Sequence, residues 1–252
     1  GIALKKRVRL IFGLDEENDW EDMKYYLEHE EIPAAGFTPD ADFPVIYGEM
    51  GILGFDIVAR CREPECDSQI EGGEASNVVP DFCRASIKLK NGSLYEICEK
   101  GLAAHSSMPE KGDNAISKVM EALYRKKEEG NFDCSESICR MIDFYHEKVG
   151  FYLHGEAIGC DLSDEKTGRL TFNAGVIKAA ANEAVLSIDI RCPVSFDKDM
   201  LIEKVKEAVK PYGFILDNID FEKPVYADKD SPVIKSLLKA YRSVTGDESE
   251  PL

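Results

Sequence analysis

The segment VPDFCRASIKLKNGSLYEICEKG, residues 79–101, decides the fold class. Residues 79–90 and residues 95–101 each have the composition of a strand. Between them lies Asn91-Gly92, a dipeptide typical of the tight turn of a β-hairpin. Strands joined by such a turn run antiparallel, so the segment predicts an antiparallel sheet in this part of the chain.

The segments around this hairpin predict further strands and helices. Strands are predicted for residues 170–176, 183–191 and 214–222, and helices for residues 114–127, 135–153 and 196–210. The first of these helices has one apolar face, formed by Ala115, Val119, Met120 and Leu123. Antiparallel strands with amphipathic helices laid on one face of the sheet are typical of an α+β domain.

The two ends of the chain follow another pattern. Residues 5–14 predict a strand, residues 19–31 an acidic helix, and Pro44-Val45-Ile46 a short second strand. This order makes a βαβ unit, which belongs to a parallel sheet. Residues 231–245 predict one more helix. The ends therefore have the pattern of an α/β domain, and the middle, roughly residues 50–222, that of a self-contained α+β domain.

The composition argues against several classes of partner. The chain has 48 acidic and 31 basic residues and a net charge of −17, whereas nucleic acids and anionic membranes bind basic surfaces. No segment approaches the ~18 continuous apolar residues of a membrane span. We therefore expect a cytoplasmic protein whose eight cysteines are reduced thiols.

Three carboxylates suggest metal chemistry. Glu16 and Glu17 follow the apolar run of residues 8–14, and Asp40 lies further along. Adjacent carboxylates at the end of a buried strand repel each other unless a cation lies between them. One glutamate could bind a divalent metal while the other takes a proton from its water. Residues 15–23 are also typical of a helix start, where the helix dipole favours acids, and on this segment alone the helix start is the favoured interpretation.

Further motifs follow in a fixed order. They are Phe37-Thr38-Pro39-Asp40-Ala41-Asp42-Phe43-Pro44, Ser76-Asn77, Ala104-His105-Ser106-Ser107-Met108-Pro109-Glu110-Lys111-Gly112, Asn173-Ala174-Gly175 and Asp189-Ile190-Arg191. With Gly13-Leu14-Asp15-Glu16-Glu17 before them, the chain resembles the dinuclear-zinc metallopeptidases, a family of aminoacylases, carboxypeptidase G and dipeptidases. The resemblance covers nearly the whole chain and is closest to the PepV-type bacterial dipeptidases.

The resemblance implies a metal-dependent dipeptidase. Glu16 would be the general base that takes a proton from metal-bridging water, and Glu17 and Asp40 would be ligands, one to each of two divalent ions. Zinc is the expected metal, with manganese or cobalt as alternatives, since carboxylates accept all three. The family's two histidine ligands and bridging aspartate have no counterpart in this sequence. We therefore expect an internal fragment, inactive by itself, with its metal absent or partial.

The resemblance also implies roles for three residues of the α+β domain. His105 matches the family histidine that stabilises the oxyanion on the scissile carbonyl. Asn77 matches a polar residue that contacts the substrate. Arg191 matches the arginine that binds the terminal carboxylate of the dipeptide, a bidentate task suited to a guanidinium group.

The implied architecture is a catalytic domain interrupted by a lid. Residues 1–49 would be a partial catalytic α/β domain, residues 50–222 the lid, and residues 223–252 the start of the returning catalytic segment. The lid would be α+β, with antiparallel sheets, helices on one face and two ferredoxin-like halves. A lid of this length fits the double lid of PepV-type enzymes, which lets a monomer supply its own histidine, so we expect a monomer.

Two other functions stay open at this stage. The whole protein could be an N-acyl-amino-acid amidohydrolase of the same family. Alternatively, the chain could be a non-enzymatic α+β binding or dimerisation module, because a fold alone does not establish activity. Glu16, Glu17 and Asp40 discriminate between enzyme and binding module, since a binding module has no use for such a set.

Overall fold

The computed structural model describes residues 6–15, 20–39, 42–60, 67–180 and 183–252. Its strands are β1 (Gly48–Glu49), β2 (Gly51–Arg60), β3 (Gln69–Gly72), β4 (Phe82–Lys88), β5 (Leu94–Lys100), β6 (Ser163–Asp164), β7 (Gly168–Arg169), β8 (Thr171–Ala180), β9 (Glu183–Cys192), β10 (Ile215–Glu222) and β11 (Val225–Tyr226). Its α-helices are α1 (Glu21–His29), α2 (Ala115–Glu128), α3 (Glu136–Phe144), α4 (Lys198–Val209) and α5 (Pro232–Thr245).

Seven of these strands form one antiparallel sheet in the order β10-β2-β9-β8-β3-β4-β5. Helix α3 packs on β2 and β9, α4 on β10, and α2 on β4 and β5. The prediction of an antiparallel α+β domain is confirmed, but the prediction of two ferredoxin-like halves is wrong for one of them, because its strands lack that order. The four strands β10-β2-β9-β8 with α3 and α4 have the ferredoxin-like order. The other half is a three-stranded extension covered by α2, and it continues the same sheet.

The core lies between the sheet and these helices. Alternate side chains of the central strands point into it, and Leu53, Ile57, Leu186, Ile188 and Ile190 are completely buried. This alternation is the expected period of two of a sheet that buries one face. The side chains that point the other way on β8 and β9 include polar ones, and they form the site described below.

The prediction of a βαβ unit at the start of the chain is wrong. Residues 7–13 form no strand, and Leu10 and Phe12 are 77% and 87% exposed. The second predicted strand lies instead at β1, which pairs antiparallel with β11. Helix α1 is present as predicted, but none of its side chains is buried. An apolar run becomes a parallel strand only where neighbouring strands pair with it, and none of the described strands does so here.

The prediction of reduced thiols is wrong for one pair. Cys134 and Cys139 form a disulfide just before and within the first turn of α3, with their Cα atoms 6.6 Å apart. Cys83, Cys160 and Cys192 are free and buried, and burial raises the pKa of the Cys83 thiol to about 12. Within the described part of the chain, no helix is long and apolar enough to cross a membrane.

Candidate substrate-binding site

The three predicted metal-site residues lie outside the described residues. Glu16, Glu17 and Asp40 therefore stay sequence predictions, for the base and for the two ligands alike. Among the residues that the structure does describe, no group of three or more His, Cys, Asp or Glu side chains could hold a metal ion. A metal centre in the whole protein would have to draw ligands from beyond the described part of the chain.

The other three predicted residues come together around Ser106, which is completely buried. The Ser106 amide donates to the Asn77 carbonyl at 2.9 Å, and the neighbouring pair Val78 and His105 forms an isolated antiparallel bridge. The Ser106 hydroxyl accepts from Nε of Arg191 at 3.3 Å. One serine thus connects two loops of the sheet extension to a strand of the ferredoxin-like half.

His105 is exposed, and its local contacts set the direction in which it can donate. Its Nδ1 accepts from the Ser107 amide at 3.2 Å and lies 2.8 Å from the Ser107 hydroxyl. A neutral imidazole whose Nδ1 accepts carries its proton on Nε2. Nε2, at the outer edge of the ring, is therefore a hydrogen-bond donor. A donor at this position is what the stabilisation of a developing oxyanion requires.

Arg191 is held by a carboxylate on its own strand. Its Nε and Nη2 donate to Oδ1 and Oδ2 of Asp189 at 3.0 and 3.3 Å. The two residues are two positions apart on β9, so their side chains lie on the same face of the sheet. Both side chains are largely buried, with 13% of Arg191 and 4% of Asp189 exposed. A buried pair of this kind keeps the guanidinium in one orientation.

Asn173 fixes the loop that carries Asn77. It lies opposite Asp189 in the pairing of β8 with β9, and it is 2% exposed. Its Nδ2 donates to the carbonyls of Ser76 and Val78, at 2.7 and 2.9 Å, which flank Asn77 on both sides. The loop lies so close to β8 that a Cβ at Gly175 would be 2.4 Å from the Ser76 carbonyl oxygen, so only glycine fits there.

We expect Asn173→Ala to lower the free energy of unfolding by about 1–3 kcal/mol, because two partly buried carbonyls lose their donor. Urea denaturation of the chain followed by circular dichroism measures the change. Asn131→Ala is the matched control, since Asn131 is exposed, and it should change stability by less than about 0.5 kcal/mol. Equal effects of the two substitutions would show that the Asn173 amide does not hold this loop.

The turn between β6 and β7 supports the chain that follows Arg191. Asp164 accepts from the amides of Thr167 and Ser195, at 2.7 and 3.0 Å, and the Thr167 hydroxyl accepts from the Val194 amide at 3.1 Å. Partial burial acts to raise the pKa of Asp164, but these hydrogen bonds outweigh it and lower the pKa to about 2. The ionised carboxylate therefore stabilises the native turn.

This lowered pKa predicts a pH dependence. A carboxyl whose pKa is lower in the folded state adds stability above its unfolded pKa, near 4, and loses it as the pH falls through about 2. We expect Asp164→Asn to cost roughly 1–2 kcal/mol at pH 6, allowing for partial exposure, and progressively less between pH 4 and pH 2. Urea denaturation across this range, with the exposed Asp133→Asn as control, measures it. A cost independent of pH would contradict this account.

Comparison with known proteins identifies the family. Residues 87–214, half of the chain, match the family model of the M20 peptidase dimerisation domain. The chain belongs to the M20 peptidase family. M20 peptidases are generally dinuclear metal enzymes. The matched region includes β5, α2, α3, β8, β9 and α4, and it contains both His105 and Arg191.

Curated relatives extend the similarity over nearly the whole chain. A protein named "Putative dipeptidase" from Staphylococcus haemolyticus is 31% identical, over 99% of this chain and 59% of its own length. One of the same name from Staphylococcus epidermidis is also 31% identical, with the same coverage. The chain thus spans about three fifths of the length of these relatives.

Two solved structures overlap more loosely. Aminoacylhistidine dipeptidase from Vibrio alginolyticus is 14% identical with a TM-score of 0.38, over 82% of this chain and 50% of its own. An M20 metallo-carboxypeptidase from Sulfolobus solfataricus is 14% identical with a TM-score of 0.37, over 86% of this chain and 47% of its own length. At this level of similarity, neither structure bears on the placement of individual residues.

Proposed function

We propose that the whole protein is an M20 metallodipeptidase and that residues 50–222 are its lid. The observation that carries this proposal is the convergence of Asn77, His105 and Arg191 around the buried Ser106. Residues from three separate segments of the sequence thus meet at Ser106, through the Asn77 carbonyl and the Arg191 guanidinium, and a binding module without a substrate would not require this arrangement. Residues 1–49 and 223–252 would belong to the catalytic domain.

The three lid residues would each contact a different part of a dipeptide. Arg191 would bind the terminal carboxylate through charge-assisted hydrogen bonds, and Asn77 would contact the substrate from the adjoining loop. His105, with its outer nitrogen protonated, would donate to the carbonyl oxygen as negative charge develops on it. Such a donor favours the transition state over the bound substrate, so it acts on the rate of the chemical step.

The metal chemistry rests on the sequence resemblance and the family. Two divalent ions, zinc by preference, would supply the activated water. Glu17 and Asp40 would bind them and Glu16 would take the proton. The described residues provide no such ligand group, and the two histidine ligands and the bridging aspartate that the resemblance implies have no counterpart in this sequence. We therefore expect the 252-residue chain alone to bind metal poorly and to hydrolyse no dipeptide.

The same contacts support a proposal about the assembly of the whole protein. The matched domain is named for dimerisation. In this chain, however, Arg191 donates to the hydroxyl of Ser106, the residue that follows His105, so a single molecule holds the loop of the histidine against the strand of the arginine. A monomer would therefore be sufficient to build the whole substrate-binding surface, and we propose that the protein acts as one.

The test is hydrolysis by the whole protein, at the length of its staphylococcal relatives. It should cleave dipeptides in the presence of zinc, manganese or cobalt, lose activity on chelation, and lose it in the Glu16→Gln variant, because the base is then absent. N-acyl amino acids form the second substrate set. Faster turnover of these than of dipeptides would replace the dipeptidase proposal with an amidohydrolase. No turnover of either set would refute both.

A further inference from the structure

The guanidinium of Arg191 has one edge occupied and one edge open. A planar guanidinium can bind a carboxylate side-on, through Nε and Nη2, or end-on, through Nη1 and Nη2. Asp189 takes the side-on edge with both of its oxygens. No described residue accepts a hydrogen bond from Nη1, and this atom is not among the buried polar atoms without a partner, so it has access to solvent.

We propose that Asp189 is a positioning residue, which holds the side-on edge of Arg191 so that its end-on edge faces the terminal carboxylate of the substrate. The inference rests on the proposed function of Arg191. It assigns a role to a residue that never touches the substrate, and it fixes which two nitrogens do. Ser106 assists, since its hydroxyl accepts from the same Nε.

The position of Asp189 supports this role. Its neighbours on β9, Ile188 and Ile190, are completely buried core residues, and Asp189 itself is only 3% exposed. A buried carboxylate is costly unless it is paired, so a carboxylate at this place is explained by the guanidinium that it holds. A long, rotamer-rich side chain that is ordered before binding loses less freedom when the ligand arrives.

Removing the Asp189 charge has two opposing effects. Without the Asp189 carboxylate, the positive charge of Arg191 would no longer be neutralised, which by itself favours a carboxylate ligand. It would also be free to turn toward other acceptors. Thr171 lies opposite it in the strand pairing, and the Thr171 hydroxyl is buried with no partner among the described residues. Because the guanidinium is already mostly buried, we expect misorientation to be the larger effect.

The experiment measures the preference of the whole protein for a free acid over an amide. The substrates are one dipeptide and the same dipeptide with a C-terminal amide, and the readouts are kcat and KM for each. Asp189→Asn keeps the volume of the side chain but replaces one acceptor oxygen with a donor. It should raise KM for the acid about tenfold, with kcat and the amide reaction changed less than about twofold.

Arg191→Met separates failure of this inference from failure of the proposed function. If Arg191→Met abolishes the preference for the acid while Asp189→Asn retains or strengthens it, Asp189 has no positioning role and Arg191 still binds the carboxylate. Equal losses on acid and amide in Asp189→Asn would make its role merely structural. If the preference survives in Arg191→Met, the proposed carboxylate site is wrong, and the role of Asp189 is overturned with it.

Ser106→Ala keeps the inference testable if Asp189→Asn does not fold. This milder change removes only the hydroxyl that accepts from Nε and leaves the ion pair in place. We expect it to weaken the preference for the acid about threefold through KM, with the amide reaction unchanged. An unaltered preference in a folded Ser106→Ala protein would contradict the proposed orientation of the guanidinium.

Discussion

Replacing His105 with alanine in the whole protein should lower kcat for dipeptide hydrolysis by about 10²–10³-fold, the loss typical of a single oxyanion donor. The Ser107 amide donates to Nδ1, so the proton is on Nε2 at the exposed edge of the ring. An interaction made only in the transition state lowers kcat and kcat/KM together, and KM should stay nearly constant. Steady-state kinetics of the metal-loaded protein measures all three values.

His29→Ala is the matched control for this substitution. His29 is also exposed, but its ring stacks on Tyr25 in α1 and its Nδ1 lies 2.8 Å from the Tyr25 carbonyl oxygen, so its contacts lie within that helix. We expect its kcat to stay within about twofold of the wild-type value. A His105→Ala protein with unchanged kcat would show that this histidine contributes nothing to the chemical step. A change confined to KM would make it a binding residue instead.

The largest expected loss of stability is that of Phe144→Ala. Phe144 is completely buried at the end of α3, and its ring meets those of Tyr212 and Phe214 edge to face, with centroids 5.1 and 5.4 Å apart. The substitution removes the transfer free energy of a large side chain and leaves a cavity between α3 and the segment that follows α4. We expect the free energy of unfolding to fall by about 3–5 kcal/mol.

Phe151→Ala provides the control, because the Phe151 side chain is 59% exposed. Its substitution should change the free energy of unfolding by less than about 1 kcal/mol, since it removes little buried apolar surface. Urea denaturation of both variants, followed by fluorescence and circular dichroism, supplies the comparison. A loss below about 1 kcal/mol for Phe144→Ala would mean that this aromatic cluster can collapse around the missing ring.

The antiparallel part of the fold could be predicted because its signals are local. The Asn91-Gly92 turn, the alternating strands and the one-sided helices each carry their pattern in a few consecutive residues. The strand predicted for residues 5–14 failed because an apolar run does not specify its partner. Without a neighbouring described strand, Leu10 and Phe12 are exposed. Local sequence patterns also could not predict that the strands form a single continuous sheet, since β3 pairs with β8 across about a hundred residues of chain.

The candidate site was predicted in part for a similar reason. The order of motifs pointed to Asn77, His105 and Arg191; in the structure the segments that carry them meet at Ser106, and their roles stay predictions. The supporting contacts of Ser106 and Asn173 were missed, although both residues lie in the quoted motifs, because these contacts cross long stretches of sequence. Asn173 reaches Ser76 across 97 positions. One signal was available: Asn173 and Asp189 are polar residues at buried positions of two predicted strands, and buried polar groups need partners.

The central claim is that one chain supplies the entire lid side of the substrate site. It is tested most directly by producing the His105→Ala and Glu16→Gln variants of the whole protein together in one cell. If His105 and Arg191 act within one molecule, no combination of the two variants restores a complete site, and activity should equal the sum of the separate variants. Recovery of a substantial share of wild-type activity would show that the histidine reaches the active site of a second copy, which contradicts the claim.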